Sequence, residues 1–154
     1  MKTFLIITTL VIVQTAFGQI QSIDKVCSEI KQSQSTLKKV VQCEKPDATR
    51  YAYFDNNALK MVTIECQDKR FSEQPLDKKV TWYFDNDKLI YAETIWTDVS
   101  GKITYTDKIY LTNDHVVAYF KNGSAIDNGS DEFKSVDKGL FAYAQQLKSE
   151  SVQK

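Results

Sequence analysis

Hydrophobic residues follow a helical spacing between Ser22 and Gln42. They recur three or four positions apart, as on one apolar helix face. These positions are Ile23, Val26, Cys27, Ile30, Leu37, Val40 and Val41. Ser22 suits a helix N-cap, and Pro46 prevents the helix from continuing further along the chain. The pattern therefore predicts an amphipathic helix from Ser22 to Gln42.

From residue 49 to residue 121 the pattern changes to β-rich segments separated by turns. The segment Tyr53–Leu59, Tyr-Phe-Asp-Asn-Asn-Ala-Leu, recurs as Tyr83–Leu89 and in a weaker form as Tyr110–Val116. Asn and Asp tolerate the left-handed backbone of tight turns, so each copy predicts a β-hairpin. We therefore expect a six-stranded antiparallel meander. Its strands are 49–55, 58–67, 78–85, 88–97, 103–111 and 115–121.

The repeat also predicts the two faces of this sheet, because successive side chains of a strand point to opposite sides. One face, the Phe/Leu face, is expected to form the core beneath the N-terminal helix. Its residues are Phe54, Phe84, Leu111, Ala52, Val80, Trp82, Ile109, Val62 and Ile64.

The opposite face, the tyrosine face, carries Tyr51, Tyr53, Tyr83 and Tyr110 among threonines and Lys108. Two interpretations of it stay open. The tyrosines are either ordinary cross-strand partners on a solvent-facing sheet or a surface that binds a ligand or a partner.

A second helical pattern begins at Asp131 after a polar stretch. Its apolar positions are Phe133, Val136, Leu140, Ala144 and Leu147. Residues 149–154 contain no apolar anchor, and we expect a frayed tail there. The predicted fold class is α+β: an N-terminal helix, a six-stranded antiparallel β-meander and a C-terminal helix packed on or beside the sheet. Residues 19–148 form a single domain in this prediction.

The first 18 residues are typical of a secretory signal peptide. Lys2 precedes an apolar run from Phe4 to Val13, and the small-x-small motif Ala16-Phe17-Gly18 follows. The alternative is a membrane anchor, but a spanning helix needs roughly 20 apolar residues and this run is shorter. We therefore expect cleavage after Gly18, a secreted or periplasmic location and no membrane insertion of the mature chain.

The mature chain would be close to electrically neutral. Removal of the leader leaves 136 residues, with 19 basic and 20 acidic side chains. The basic pairs are scattered among acidic residues, so charge provides no reason to bind nucleic acid or an anionic membrane. The expected partner is a protein or a small ligand outside the cytoplasm.

Three cysteines remain in a compartment where disulfides persist. Cys27 and Cys43 would lie at the two ends of the predicted helix, about 24 Å apart, which excludes a bond between them. Cys66 would then pair with one of them, and Cys43, just past the helix end, is the more adaptable. We predict a Cys43–Cys66 disulfide and a buried, unpaired Cys27, with Cys27–Cys66 as the alternative.

Candidate catalytic residues are few. The lone His115 falls on a hairpin turn, and the chain has no Cys-x-x-Cys motif and no glycine-rich loop, so no metal or cofactor is expected. Glu65, Glu93 and Asp107 each interrupt an apolar strand. Two of them in one cavity could perform acid–base or glycosidic chemistry, whereas outward-facing charges on strands explain them equally well.

Two sequence motifs match the N-glycosylation pattern. Asn122-Gly123-Ser124 and Asn128-Gly129-Ser130 have the required spacing, but they matter only in a eukaryotic secretory host.

The order helix, long antiparallel meander, closing helix resembles the cystatin-like and nuclear-transport-factor-2-like α+β rolls. That resemblance implies a curved sheet that wraps a helix. The leader and the Tyr-Phe-Asp-Asn-x-x-Leu hairpins are also similar to small bacterial envelope proteins of unknown function. The Gln-x-Val-x-Gly motif with which cystatins bind proteases is absent from this chain, so an inhibitor of that type is not expected.

The leading hypothesis is an exported, non-enzymatic binding module that uses the concave or tyrosine-bearing sheet face. A second hypothesis is a pocket-containing roll with ligand-binding or hydrolytic activity through Glu65, Glu93 or Asp107. A third is an inhibitor of an extracellular hydrolase, which would bind through protruding turns such as Asp85–Asp87 or Asn122–Ser130.

Overall fold

The computed structural model describes residues 3–45, 47–68 and 74–152, and the side chains of 18–45, 47–68, 74–146 and 149. Helix α1 is Thr3–Ser33 and helix α2 is Asp131–Val152. Between them lie eight strands that form one open antiparallel sheet in chain order. They are β1 (Lys38–Lys45), β2 (Ala48–Asp55), β3 (Ala58–Asp68), β4 (Leu76–Asp85), β5 (Lys88–Thr97), β6 (Ile103–Thr112), β7 (His115–Lys121) and β8 (Ser124–Ala125).

The α+β class and the meander are confirmed, but the predicted number of six strands is wrong. The six predicted strands correspond to β2–β7, and each of their ends lies within two residues of the expected position. Strands β1 and β8 were not expected. The connection between β3 and β4 includes residues 69–73, which lie outside the described part of the chain.

The three repeated motifs form the three expected hairpins. The two central residues of each turn have positive φ: 47° and 73° at Asn56 and Asn57, and 47° and 59° at Asn86 and Asp87. Such pairs define type I′ turns, whose twist matches that of the flanking strands. Each of these hairpins also has a register shift at the same repeat position, for example between Tyr83 and Phe84. The repeat in the sequence is therefore a repeat of one turn and one bulge.

The predicted helix over residues 22–42 is wrong at both ends. Helix α1 begins at Thr3, so Ser22 lies inside the helix and is not its N-cap. Helix α1 ends at Ser33, whose hydroxyl donates to the carbonyl oxygens of Glu29 at 2.9 Å and Ile30 at 3.2 Å. A short 3-10 helix, Gln34–Thr36, follows, and Leu37 is extended. The next residues form β1, because the β-branched pair Val40 and Val41 suits a strand as well as a helix face.

Each face of the sheet is covered by one helix, and the assignment of the N-terminal helix to the Phe/Leu face is wrong. Helix α1 packs on the tyrosine face through Ile23, Cys27 and Ile30. Helix α2 packs on the Phe/Leu face through Phe133 and Ala144. All nine predicted Phe/Leu-face residues belong to, or pack against, the buried cluster that contains Phe133 and Ala144.

Helix α2 is attached by specific polar and aromatic contacts. The Ser130 hydroxyl accepts the Phe133 N–H at 3.1 Å, which is an N-cap contact. The Asp137 carboxylate accepts the Val116 N–H of β7 at 2.7 Å, and the Trp82 and Tyr143 rings pack edge to face at 4.5 Å. Among the residues that are described, no helix is long and apolar enough to cross a membrane.

Candidate functional site

The predicted tyrosines do share one sheet face. Tyr53 is paired with Met61, Met61 with Tyr83, Tyr83 with Tyr91, and Tyr91 with Tyr110. Directly paired residues of antiparallel strands point to the same side. The strand pairing therefore aligns the repeats into a continuous aromatic row.

This row is buried beneath α1. Tyr53, Tyr83 and Tyr110 are only 6%, 1% and 6% exposed, so the expectation that this part of the face is solvent-facing is wrong. Tyr51 alone among the four predicted residues is half-buried, and the Lys39 Nζ atom lies 3.6 Å from its ring centroid. A partner could touch Tyr51 directly, but it would reach the other three only if α1 moved away.

Polar groups within this interface satisfy one another. The Tyr110 hydroxyl donates to Asp24 of α1 at 3.0 Å. The Tyr91 hydroxyl donates to Glu93 at 3.2 Å, and the Lys31 Nζ atom lies 3.9 Å from the same carboxylate. Burial, together with these carboxylates, raises the pKa values of both Tyr91 and Tyr110.

The Cys27 thiol lies in the same interface. Burial, reinforced by the negative charge of Asp24, raises the pKa of Cys27 to about 12. A thiol rather than a thiolate is therefore present at neutral pH, and it acts as a small apolar core group.

The predicted Cys43–Cys66 disulfide is wrong, and all three cysteines are free. Strand β2 lies between the two residues, with Cys43 opposite Arg50 and Cys66 opposite Ala48. Two strand spacings and a two-residue offset separate their Cα atoms by roughly 12 Å. A disulfide requires Cα atoms within about 7 Å. The error followed from placing Cys43 at the end of a helix instead of in an edge strand.

Two of the three candidate acids lie on the tyrosine face, where each has a basic neighbour. Glu65 is exposed, and its Oε1 atom lies 2.9 Å from the Nζ atom of Lys79. Glu93 is largely covered and lies near Lys31. The pairings of β3, β4 and β5 place the Cα atoms of Glu65 and Glu93 roughly 12 Å apart.

Asp107 lies on the opposite side of the sheet, within a polar network at the start of α2. It accepts the Tyr105 hydroxyl at 2.8 Å and the Tyr119 hydroxyl at 3.2 Å. The Tyr119 hydroxyl also lies 3.3 Å from Glu132, which is bonded to Lys121 at 2.9 Å. Burial and the Asp107 charge raise the pKa of Tyr119, so its hydroxyl stays protonated as a donor. The network connects β6, β7 and α2, and it does not bring Asp107 near either glutamate.

A groove lies at the end of the sheet opposite the type I′ turns. It has a volume of about 680 Å³ and is bordered by the β1–β2 connection and the ends of β3, β4 and β5. Its charged residues balance, with Lys45, Lys78 and Lys79 against Asp47, Glu65 and Asp77. Of the three candidate acids, only Glu65 lines it. We refer to it as the sheet-end groove.

A rigid loop with exposed aliphatic side chains adjoins this groove. Thr97 lines the groove, and the loop 98–102 follows it directly. The Asp98 carboxylate accepts the Ser100 hydroxyl at 2.6 Å and the N–H groups of Ser100 and Lys102 at 2.9 and 3.0 Å. These bonds, that of the Ser100 hydroxyl above all, lower the pKa of Asp98.

Two apolar side chains are exposed to solvent here, one in the loop and one at the first position of β6. Val99 is 69% exposed and Ile103 is 56% exposed. Sequence analysis treated this segment only as a connection. The signal that could have identified it is an aliphatic residue, Val99, between the turn formers Asp98 and Ser100.

The remaining candidates lie apart from the groove. His115 directly follows a hairpin turn as the first residue of β7; its side chain is 78% exposed, and its Nδ1 atom lies 3.5 Å from Asp137. Asn122 is in the β7–β8 turn with a φ of 49°, and its side chain accepts the Thr106 N–H. Asn128 is exposed. Within the described ranges, no group of three or more His, Cys, Asp or Glu residues is arranged to hold a metal ion.

Comparisons with known protein families, with curated proteins and with solved structures find no match.

Proposed function

We propose that this chain is an exported, non-enzymatic binding module whose partner is a protein outside the cytoplasm. The binding surface is the end of the sheet that carries the sheet-end groove and the loop 98–102. The observation that carries the proposal is the exposure of Val99, on a loop whose conformation is held by hydrogen bonds, and of Ile103, the residue that directly follows this loop.

The loop is organised before any partner arrives. In addition to the three bonds that the Asp98 carboxylate accepts, the Asp98 N–H donates to the Lys102 carbonyl and the Gly101 N–H donates to the Asp98 carbonyl, both at 2.9 Å. Gly101 has a φ of 83°, which glycine adopts without strain. Ordering a loop on binding costs conformational entropy, and this loop has already lost that freedom. Apolar side chains held in solvent by such a loop are suited to enter a cleft of another protein.

The groove beside the loop provides the polar part of the same surface. Its side chains carry both signs of charge, and it includes the hydroxyls of Thr49 and Thr97. Protein interfaces combine a desolvated apolar contact with a polar surround. A partner with an apolar pocket and an adjoining polar segment matches this surface.

The separation of the acids supports the non-enzymatic part of the proposal. Catalysis by two carboxyl groups requires them roughly 5 to 10 Å apart around one substrate. Glu65 and Asp107 point to opposite sides of the sheet, and Glu93 is covered by α1 and lies near Lys31. Each of the three acids has a structural partner of its own.

Site-specific photo-crosslinking in cells that export the chain tests the proposal. A photoreactive amino acid replaces Val99 or Ile103, and matched controls carry it at Asn86, at the opposite end of the sheet, and at Phe141, a 47% exposed apolar residue of α2. We expect one discrete cross-linked protein from positions 99 and 103 and not from 86 or 141. Position 86 also tests binding through the Asp85–Asp87 turn.

A second variant excludes non-specific capture. The probe at Ile103 is combined with Val99→Asp, which leaves the hydrogen bonds of the loop in place but puts a charge where an apolar contact is expected. The cross-link should be lost while the urea unfolding midpoint stays unchanged. The same products from all four positions, or products unaffected by Val99→Asp, would contradict the proposal.

A further inference from the structure

We propose that Gln19 becomes a pyroglutamate once it is the first residue of the exported chain. The inference rests on the proposed export with cleavage after Gly18. It adds a modification site, with its chemistry and its protective role.

The reaction uses only groups that Gln19 itself provides. The α-amino nitrogen attacks the side-chain amide carbon Cδ, an N–Cδ bond forms, and the Cδ–Nε2 bond breaks. The Nε2 nitrogen leaves as ammonia and takes up a proton released by the amine, so no oxidant, reductant or second substrate is required. An α-amino group has an ordinary pKa of about 8 and is partly neutral at physiological pH, as the attack demands.

Residues 18 and 19 lie within α1 on its solvent side. Gly18 and Gln19 are both exposed. Apart from chain neighbours and the helix backbone, no atom lies within 4 Å of the place that a Cβ atom on Gly18 would occupy. Because Gln19 itself is exposed, its side chain can bend back to the new amine through solvent once the chain begins there.

A lactam at this position would protect the helix that covers the tyrosine face, because Gln19 is itself part of α1. Ile20, the next residue, already packs against the cluster that contains Ile23, and Asp24 accepts the Tyr110 hydroxyl. An aminopeptidase that removed Gln19 would next remove Ile20 and then shorten the covering helix. A lactam has no free amine for such an enzyme to bind. After cleavage Gln19 would be the N-terminus of the shortened α1, and the lactam would remove a positive charge there, where the helix dipole disfavours cations.

Mass spectrometry of the exported protein tests the inference. The full chain is expressed in a Gram-negative host, the exported fraction is collected cold, and the N-terminal tryptic peptide Gln19–Lys25 is analysed. We expect this peptide to be lighter by one ammonia molecule, blocked to Edman degradation and unblocked by pyroglutamyl aminopeptidase.

Two variants provide matched controls. Gln19→Asn keeps an amide at the terminus, but its shorter side chain cannot close a five-membered lactam, so the peptide should keep its full mass and a free amine. Gln21→Asn leaves the terminal residue unchanged and should still show the loss of ammonia. Under aminopeptidase treatment the wild-type peptide should persist, whereas the Gln19→Asn protein should lose residues from its N-terminus.

The outcomes separate this inference from the export proposal. A peptide that begins at Gln19 with a free amine in freshly exported protein overturns the inference and leaves export intact. An intact leader, or a terminus other than Gln19, overturns the predicted cleavage instead. Cyclisation that is absent at collection and accumulates only during storage is an artefact of handling and also overturns the inference.

Discussion

Truncation of Tyr83 to alanine measures directly whether α1 covers the tyrosine face. Tyr83 is 1% exposed between the sheet and α1, and Phe84 on the opposite face is 0% exposed. From sequence alone, Tyr83→Ala is expected to be milder than Phe84→Ala, because the tyrosine face is expected to be solvent-facing. In the structure the two side chains are equally buried, so the two substitutions should be equally damaging.

The magnitude follows from the area that the ring removes from water. A buried tyrosine covers roughly 150 to 250 Å², which at about 25 cal/mol per Å² corresponds to about 4 to 6 kcal/mol as an upper bound. Measured aromatic-to-alanine substitutions in cores cost about 3 to 5 kcal/mol. We therefore expect Tyr83→Ala and Phe84→Ala each to lower the free energy of unfolding by about 3 to 5 kcal/mol.

Urea titration of the chain from residue 19 onward, followed by circular dichroism and tryptophan fluorescence, provides the measurement. Small domains have only about 5 to 15 kcal/mol of stability, so Tyr83→Leu, which leaves a smaller cavity, accompanies the alanine variant. Tyr51→Ala is the matched control on the same face, and its cost should be smaller because Tyr51 is only half-buried. A loss below about 1 kcal/mol for Tyr83→Ala, beside about 3 to 5 for Phe84→Ala, would refute the position of α1.

The other predictions concern the cysteines and the polar groups beneath α1. Non-reducing mass spectrometry should find no disulfide. Iodoacetamide should label Cys43 and Cys66 in the native protein and Cys27 only after denaturation. Labelling of Cys27 in the native protein would contradict its burial. Tyr110→Phe should lower the free energy of unfolding by about 0.5 to 1.5 kcal/mol, because it removes a part-buried hydrogen bond whose acceptor, Asp24, is exposed to water; an unchanged urea midpoint would exclude that bond. The folded state raises the pKa of Tyr110, so as pH rises above about 10 the unfolded state ionises first and stability should fall. Urea titrations from pH 8 to 11 should show this fall, and it should be shallower in Tyr110→Phe.

Strands β2 to β7 could be predicted because each is bounded by a local signal. Asn-Asn and Asn-Asp pairs in type I′ turns specify a hairpin from a few neighbouring residues, and the alternation on either side specifies which residues share a face. The register that aligns Tyr53, Tyr83 and Tyr110 follows from the equal placement of turn and bulge in each repeat. For the same reason, the nine Phe/Leu-face residues and the four tyrosines could be assigned to their faces from the chain alone, whereas Met61 and Tyr91 of the tyrosine row were not predicted.

The errors arose where the local signal was ambiguous. Val40 and Val41 fit the helical spacing of α1, but as β-branched residues they also suit the edge strand β1, and neighbouring residues do not decide between the two. Strand β8 has two residues, Ser124 and Ala125, too few to produce a periodic pattern. The disulfide prediction failed as a consequence, because it depended on where the helix ended.

The candidate site was even less visible in the sequence. Exposure of Val99 and Ile103 depends on a loop that the Asp98 side chain holds in place, and the groove beside it is formed by strands from distant parts of the chain. The turn residues at 98–102 predict that a loop exists, but not that its aliphatic side chains remain in water.

The sequence by itself determined the hairpins, the two sheet faces and the second helix, because each depends on residues close together in the chain. Only the tertiary structure decided which helix covers which face, that the tyrosine row lies beneath α1, and that Cys43 and Cys66 are separated by β2. The physical reason is that both faces of this sheet are apolar enough to bury. Local pattern cannot assign two amphipathic helices to two such faces, because that choice depends on contacts between residues far apart in the chain, such as Asp24 with Tyr110 and Asp137 with Val116.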